Sequence, residues 1–315
     1  MSNKITIIGA GNVGSTIAYT MAVKGVAAEI VMIDINKEKA FGEAMDIRQG
    51  APFCHALNIY SGDYGDAANS DIVIVTSGIA RKAGQSRIDL AQTNVNILKS
   101  ITEKIVKHAP NAVYLFVNNP VDILTYVFSR ISGVPDSRIL GSGTILDTSR
   151  LKARIADTLA ISQRNVHAFV LGEHGDSSFI PWSMASVAGI PVDDYRDCLD
   201  PVHIRYQELD HEAIEEYVRT SGAVVIKNKG ATFFAVSVAV THICECICSG
   251  RDTVLPVSCV MHGEYGVTDV SISLPAIVGA GGIKRVLTPK FTDEEMSAFM
   301  HSVDTLKSAI AQLDI

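Results

Sequence analysis

The chain has 315 residues, 47% of them hydrophobic, which is enough to bury one large core or two ordinary ones; this excludes a disordered chain and favours a two-lobed enzyme over a repeat array. Lys plus Arg total 27 against 34 for Asp plus Glu, and the formal charge of -7 repels a polyphosphate backbone, so nucleic acid is not an expected partner. The MSNK start runs directly into the strand-like ITII with no basic, apolar and small-residue series, and the most apolar helical stretch (231–248) is interrupted by Thr241, His242 and Glu245, so the expectation is a cytoplasmic protein with no membrane partner.

In chain order, short apolar runs occur at 5–8 (ITII), 29–34 (EIVMID), 71–78 (DIVIVTSG), 112–117 (AVYLFV) and 139–140 (IL), separated by longer amphipathic segments. Runs this continuous suit strands covered on both faces, so residues 1–142 are predicted to form an α/β domain, a doubly wound parallel sheet with crossover helices. The texture changes in 143–315. A helix is predicted over 144–159, a strand over 166–171 and a long helical region over about 210–248. Alternating runs at 256–261 and 267–274, separated by HGEYG, read as an antiparallel hairpin. A capping box of Thr292 and Glu295, flanked by Phe291 and Met296 as a hydrophobic staple, starts a C-terminal helix and completes a second, α+β domain that would carry the substrate. The six cysteines lack the paired spacing of a disulfide framework, and Cys244, Cys246 and Cys248 continue an apolar run, which makes them core residues rather than a metal site.

Gly9-Ala10-Gly11-Asn12-Val13-Gly14 follows the first strand and opens a helical pattern. Gly9 allows the tight turn, Gly11 lets the backbone approach a pyrophosphate, and Gly14 permits close helix packing, with Asn12 and Val13 at the helix N-terminus that would hold the phosphates. Asp34 ends the second strand, where a carboxylate accepts both adenosine ribose hydroxyls and repels a 2′-phosphate. The expected N-terminal lobe is therefore a Rossmann fold that binds NAD in preference to NADP.

Four further segments narrow the reading: GIARKAGQSRIDL (78–90), VNNPVD (117–122), LDTSR (146–150) and LGEHGDSS (171–178). In this order they resemble the L-lactate dehydrogenase and malate dehydrogenase superfamily, over nearly the whole chain. The resemblance implies an NAD-dependent oxidoreductase that interconverts an L-2-hydroxy acid and its 2-oxo acid. His174 lies in a glycine-rich turn after a strand, and its side chain can give a proton to a ketone oxygen and take it back near neutrality. In the family this position is the catalytic acid and base, and Asp147 is the carboxylate that fixes its tautomer. Arg150, three residues further along, would share a helix face with Asp147 and offer a planar fork to the substrate's C1 carboxylate. Arg87, placed in the loop after the third apolar run, matches the carbonyl-polarising arginine of a mobile lid. Asn119 matches the asparagine that orients carbonyl and histidine, and Thr232 is expected on a helix flooring the substrate pocket. Gly78 and Asn119 join the expected cofactor contacts.

Six residues before Arg87, where lactate dehydrogenases usually carry glutamine, stands Arg81. A guanidinium there could pair with the second carboxylate of oxaloacetate, whereas pyruvate offers only a methyl group. The expected substrate pair is therefore L-malate and oxaloacetate, with L-lactate and pyruvate as the alternative, because LDTSR, LGEHGDSSFIPWS and KGAT (229–232) look more like lactate dehydrogenase. Bacterial lactate dehydrogenases often bind fructose 1,6-bisphosphate at a subunit interface through an arginine and a histidine; Lys152 and His167 stand at those positions, the lysine without the bidentate fork. The resemblance also implies a homotetramer or homodimer.

Overall fold

The computed structural model describes residues 3–79, 86–198 and 209–315. Six strands, β1 (Lys4–Ile8), β2 (Glu29–Ile33), β3 (Asn58–Ser61), β4 (Ile72–Val75), β5 (Val113–Phe116) and β6 (Ile139–Gly141), run parallel in the spatial order β3-β2-β1-β4-β5-β6. This is the doubly wound order of a dinucleotide-binding sheet. Helices α1 (Asn12–Lys24), α2 (Lys37–Gly50), α3 (Arg87–His108) and α4 (Val121–Ser132) supply the crossovers.

The inner strands are largely apolar on both faces because alternate residues enter different cores. Ile8, Val31, Val75, Tyr114 and Phe116 pack on the side of α3 and α4. Ile5, Ile7, Ile30, Met32 and Leu115 pack on the other side, with residues of α1 and of a later helix that carries Val240, Ile243 and Cys244. The edge strand β3 escapes detection in the sequence because its residues NIYS bury only Ile59 fully.

Beyond β6 come α5 (Ile145–Leu159), the short strands β7 (Val166–His167), β8 (Ser186–Val187) and β9 (Ile190–Pro191), then α6 (His211–Lys229) and α7 (Phe234–Ser249). The long strand predicted over 166–171 is thus cut to two residues, with Leu171 making only an isolated bridge to Phe179. The long helix predicted over 210–248 is also broken. Gly230 takes φ +87°, ends α6, and leaves residues 231–233 non-helical before α7 begins. Thr232 therefore sits in a connector and not on a helix. Cys244 and Cys246 are buried on α7, as core residues.

The predicted hairpin is present as β10 (Thr253–His262) and β11 (Thr268–Gly279), followed by β12 (Gly282–Val286). It extends the parallel sheet: β10 lies antiparallel to β6, with Ser258 opposite Gly141, giving nine continuous strands. Helix α8 (Asp293–Ile310) begins at the expected capping box, where Thr292 Oγ1 accepts the Glu295 N–H at 3.2 Å and the Glu295 carboxylate accepts the Thr292 N–H at 2.9 Å. Among the described residues no helix is long and apolar enough to cross a membrane.

Candidate active site

The glycine turn leaves β1 and enters α1 with Gly9 at φ +111°. A Cβ on Gly9 would lie 2.6 Å from Thr76 Oγ1, and one on Gly14 would collide with the Gly9 carbonyl, so both positions require glycine to seat helix on strand. At Gly11 the space a side chain would take is open. The N-terminus of α1 has no side-chain cap and no acidic residue in its first turn, which leaves amide N–H groups of the Asn12 and Val13 turn directed at that space. Asp34 follows β2, with Oδ2 accepting the Ala10 N–H at 2.6 Å and Oδ1 accepting the Asn36 N–H at 2.8 Å. The second strand's carboxylate is thereby fixed beside the phosphate-sized opening, and the residues fit a dinucleotide without a 2′-phosphate.

Two segments at the C-terminal ends of β4 and β5 meet next to this turn. Asn94, buried on α3, accepts the Ile79 N–H through Oδ1 at 2.9 Å and donates through Nδ2 to the Asn119 carbonyl at 2.7 Å. It also lies under Gly78, whose Cβ would come 3.2 Å from Asn94 Oδ1. Asn94 was invisible as a site residue in the sequence; the only hint is a polar residue on the buried stripe Ala91, Val95 and Leu98.

A cleft of about 360 Å³ runs from Val13 and Val117 past Asn119 to Asp147, Arg150, His174 and Thr232. Helix α5 sets two of these groups. Thr144 begins it, donating to the Val170 carbonyl, and Thr148 accepts the Val170 N–H at 2.9 Å, which pins the helix to the segment leading into the histidine turn. One turn in, Asp147 divides its oxygens: Oδ1 accepts from Arg150 Nη1 at 2.7 Å and Oδ2 accepts from His174 Nδ1 at 2.6 Å. With the aspartate ionised, Nδ1 carries the hydrogen and Nε2 is the nitrogen left for chemistry.

The histidine turn is fastened from three sides. Gly172 exchanges backbone hydrogen bonds with Ser273 of β11, the Glu173 N–H donates to Ser302 Oγ of α8 at 2.7 Å, and the His174 N–H donates to Asp122 Oδ2 of α4 at 2.8 Å. The charge of Asp147 pushes the imidazole up to about 9, against the opposing effects of burial and of the Arg150 charge. Burial works to raise Asp147, but His174 and Arg150 together outweigh it and hold its carboxyl below the usual range. On the facing wall Gly222 stands where a Cβ would come 3.4 Å from Arg150 Nη2, so the open side of the guanidinium meets no side chain there.

Arg87 does not join this cleft. It is the first residue of α3 rather than a loop residue, because Ser86 and Asp89 form a capping box, and its Nη2 lies 2.6 Å from Asp176 Oδ2 at an exposed position. Arg81 lies outside the described residues. Lys152, on α5, and exposed His167, on β7, belong to elements that pack together, and partial burial pulls the Lys152 ammonium down.

A dinucleotide turn opening onto an imidazole–carboxylate–guanidinium cluster defines an NAD-dependent dehydrogenase acting on hydroxy and oxo acids. Residues 3–141 match the family described as lactate/malate dehydrogenase, NAD binding domain, and residues 144–314 match lactate/malate dehydrogenase, alpha/beta C-terminal domain. The chain belongs to the lactate/malate dehydrogenase family. It is 46% identical over 312 residues to the L-lactate dehydrogenase of Acetivibrio thermocellus, covering 99% of this chain and 98% of that protein. It is likewise 46% identical over 314 residues to the L-lactate dehydrogenase of Thermoanaerobacter pseudethanolicus, covering 99% and 100%. The crystal structure of minor L-lactate dehydrogenase from Enterococcus mundtii in the ligands-bound form superposes with a TM-score of 0.94 at 37% identity, covering 100% of this chain and 99% of that one. The enzyme interconverts a 2-hydroxy acid and its 2-oxo acid with NAD.

Proposed function

We propose that the physiological pair is L-lactate and pyruvate. The observation that carries this reading is the 46% identity, over 99% of the chain, to proteins that are L-lactate dehydrogenases. It supports the lactate alternative over the malate expectation, which rested on the single residue Arg81. The cleft wall contributed by α6 agrees with it: Val218, Ala223 and Ile226 present alkyl groups suited to a methyl substituent, and Arg219 on that wall is engaged at 3.8 and 4.0 Å with Glu215 and Glu216 of its own helix.

Bound NAD supplies the hydride acceptor for oxidation and, reduced, the donor for the reverse reaction. Gly9, Gly11, Asn12, Val13 and Gly14 hold its phosphates, Asp34 its ribose, and Gly78 and Asn119 its nicotinamide end. Arg150 receives the C1 carboxylate as a two-pronged hydrogen-bond donor. His174 Nε2 gives its proton to the C2 oxygen during reduction and recovers it during oxidation, while Asp147 keeps the ring in the Nδ1–H tautomer and balances the imidazolium charge. Asn119 donates to the same oxygen. Arg87 exchanges Asp176 for the carbonyl oxygen and stabilises the developing alkoxide. Thr232 closes the floor. Lys152 and His167 form a phosphate-binding pair of modest strength, since a lysine acts as a point charge.

Assembly into a homodimer or homotetramer belongs to the same reading. Tyr19 and Val23 on α1 and Phe234 and Val238 on neighbouring α7 are exposed, giving the apolar surface that a subunit contact would cover.

Steady-state NADH oxidation with pyruvate and oxaloacetate under one condition tests the substrate. Pyruvate is expected to give the higher kcat/KM. Arg81→Gln is expected to depress oxaloacetate turnover by about tenfold or more, the loss of one charged contact, with little effect on pyruvate. Oxaloacetate preference in the unmodified enzyme would return the assignment to malate. At the cofactor end, Asp34→Ala is expected to weaken NADH binding by about tenfold or more in a fluorescence titration and to narrow its advantage over NADPH. Unchanged discrimination would remove Asp34 from the ribose contact.

A further inference from the structure

We propose that Asp122 is a positioning residue for His174, clamping the histidine's main chain and presenting a second buried carboxylate to its imidazolium. The proposal rests on the reading of His174 as the proton carrier. Asp122 lies in the first turn of α4, immediately after the Asn119–Pro120 segment that reaches the cleft, and is 2% exposed. Oδ2 accepts the His174 N–H at 2.8 Å, while Oδ1 has no hydrogen-bond partner among the described residues.

A main-chain clamp needs only an acceptor, and asparagine would supply one without the desolvation cost of a charge. A carboxylate at the N-terminus of α4 is stabilised by the helix dipole and adds what asparagine cannot, a negative potential at the histidine. The surrounding groups make this charge conditional. Burial pushes the carboxyl up to about 6, the His174 N–H and the His174 charge pull it down, and Glu173 raises it. From α5, Asp147 reinforces the effect of Asp122 on His174 and Arg150 opposes it. From β10, Cys259 adds no competing charge, because burial drives its thiol upward. Asp122 is therefore ionised above about pH 6, where the histidine must hold and release its proton. Neutralising it favours the free imidazole, so the histidine's midpoint must fall.

Asp122→Asn keeps the acceptor and removes the charge. The His174 titration is read by NMR on histidine-labelled protein, with the resonance assigned by its loss in His174→Asn. The midpoint in Asp122→Asn is expected to fall by about half a pH unit or more, and the basic limb of kcat/KM for 2-oxo acid reduction should move with it while NADH affinity holds. A midpoint that stays in place overturns the proposal whatever happens to kcat, because a purely structural clamp changes rates and leaves the midpoint alone. The resonance should also carry a small inflection near pH 6 from Asp122 itself. Should Asp122→Asn fail to fold, that inflection in the unmodified protein is the second measurement, and its absence overturns the proposal. The NMR titration requires no turnover, so a failed oxo-acid assay strikes the parent reading without touching this result.

Discussion

His174→Asn is expected to lower kcat for 2-oxo acid reduction by about 10³-fold, within the range for losing a positioned proton donor, while NADH still binds. The amide cannot deliver a proton, yet its backbone N–H keeps the bond to Asp122, and Asp147 keeps Arg150 at 2.7 Å, so the turn should hold its shape. The pH dependence of the unmodified enzyme gives the companion readout. With the imidazole pushed up to about 9 by Asp147, the protonated form needed for reduction prevails below that value. Reduction kcat/KM should be level through neutrality and fall about tenfold per unit above pH 9, while oxidation, which needs the neutral ring, rises with pH up to the same value. In His174→Asn both limbs should vanish. Residual activity within tenfold of the parent, with the limbs intact, would assign the proton to another group.

Arg150→Leu should cost more in kcat/KM than in kcat, by about 10³-fold for the former, as expected when a desolvated charge pair loses one partner. Two losses combine: the substrate carboxylate has no fork, and Asp147 is left with His174 alone. Since the Arg150 charge pulls the histidine's pKa down, its removal should carry the limb near pH 9 upward, opposite in sign to the effect of Asp122→Asn. Arg150→Lys should recover only part of the activity, because a point charge cannot match two carboxylate oxygens. Retention of ordinary kcat/KM in Arg150→Leu would show that the acid group is gripped elsewhere, and steady-state kinetics with pyruvate decides it.

What could be read in the sequence was mostly local. Asp147 and Arg150 are three residues apart on one helix, and the glycine turn follows a strand, so spacing alone places these groups correctly. The C-terminal helix was legible because its capping box is a contiguous signal. Arg87 was misplaced because Ser86 and Asp89, which cap α3, lie within a stretch whose glycines suggested a loop. Thr232 was misplaced because the apolar pattern continues on both sides of Gly230, and only the positive φ shows the break. Asn94, Asp122, Ser273 and Ser302 act across 15 to 129 residues of separation, distances at which periodicity carries no information. The malate expectation weighted one guanidinium above the surrounding framework, whose similarity to L-lactate dehydrogenases favours the alternative.

Because β6 pairs with parallel β5 on one side and meets antiparallel β10 at Gly141 on the other, the nucleotide-binding half presents β6 as an interior strand, not a finished border. Severed there, it would uncover the β6 edge where Gly141 meets β10 and invite edge-to-edge aggregation. Transplanting the lobe as a stand-alone NAD sensor thus calls for a substitute strand or a charged guard along that margin.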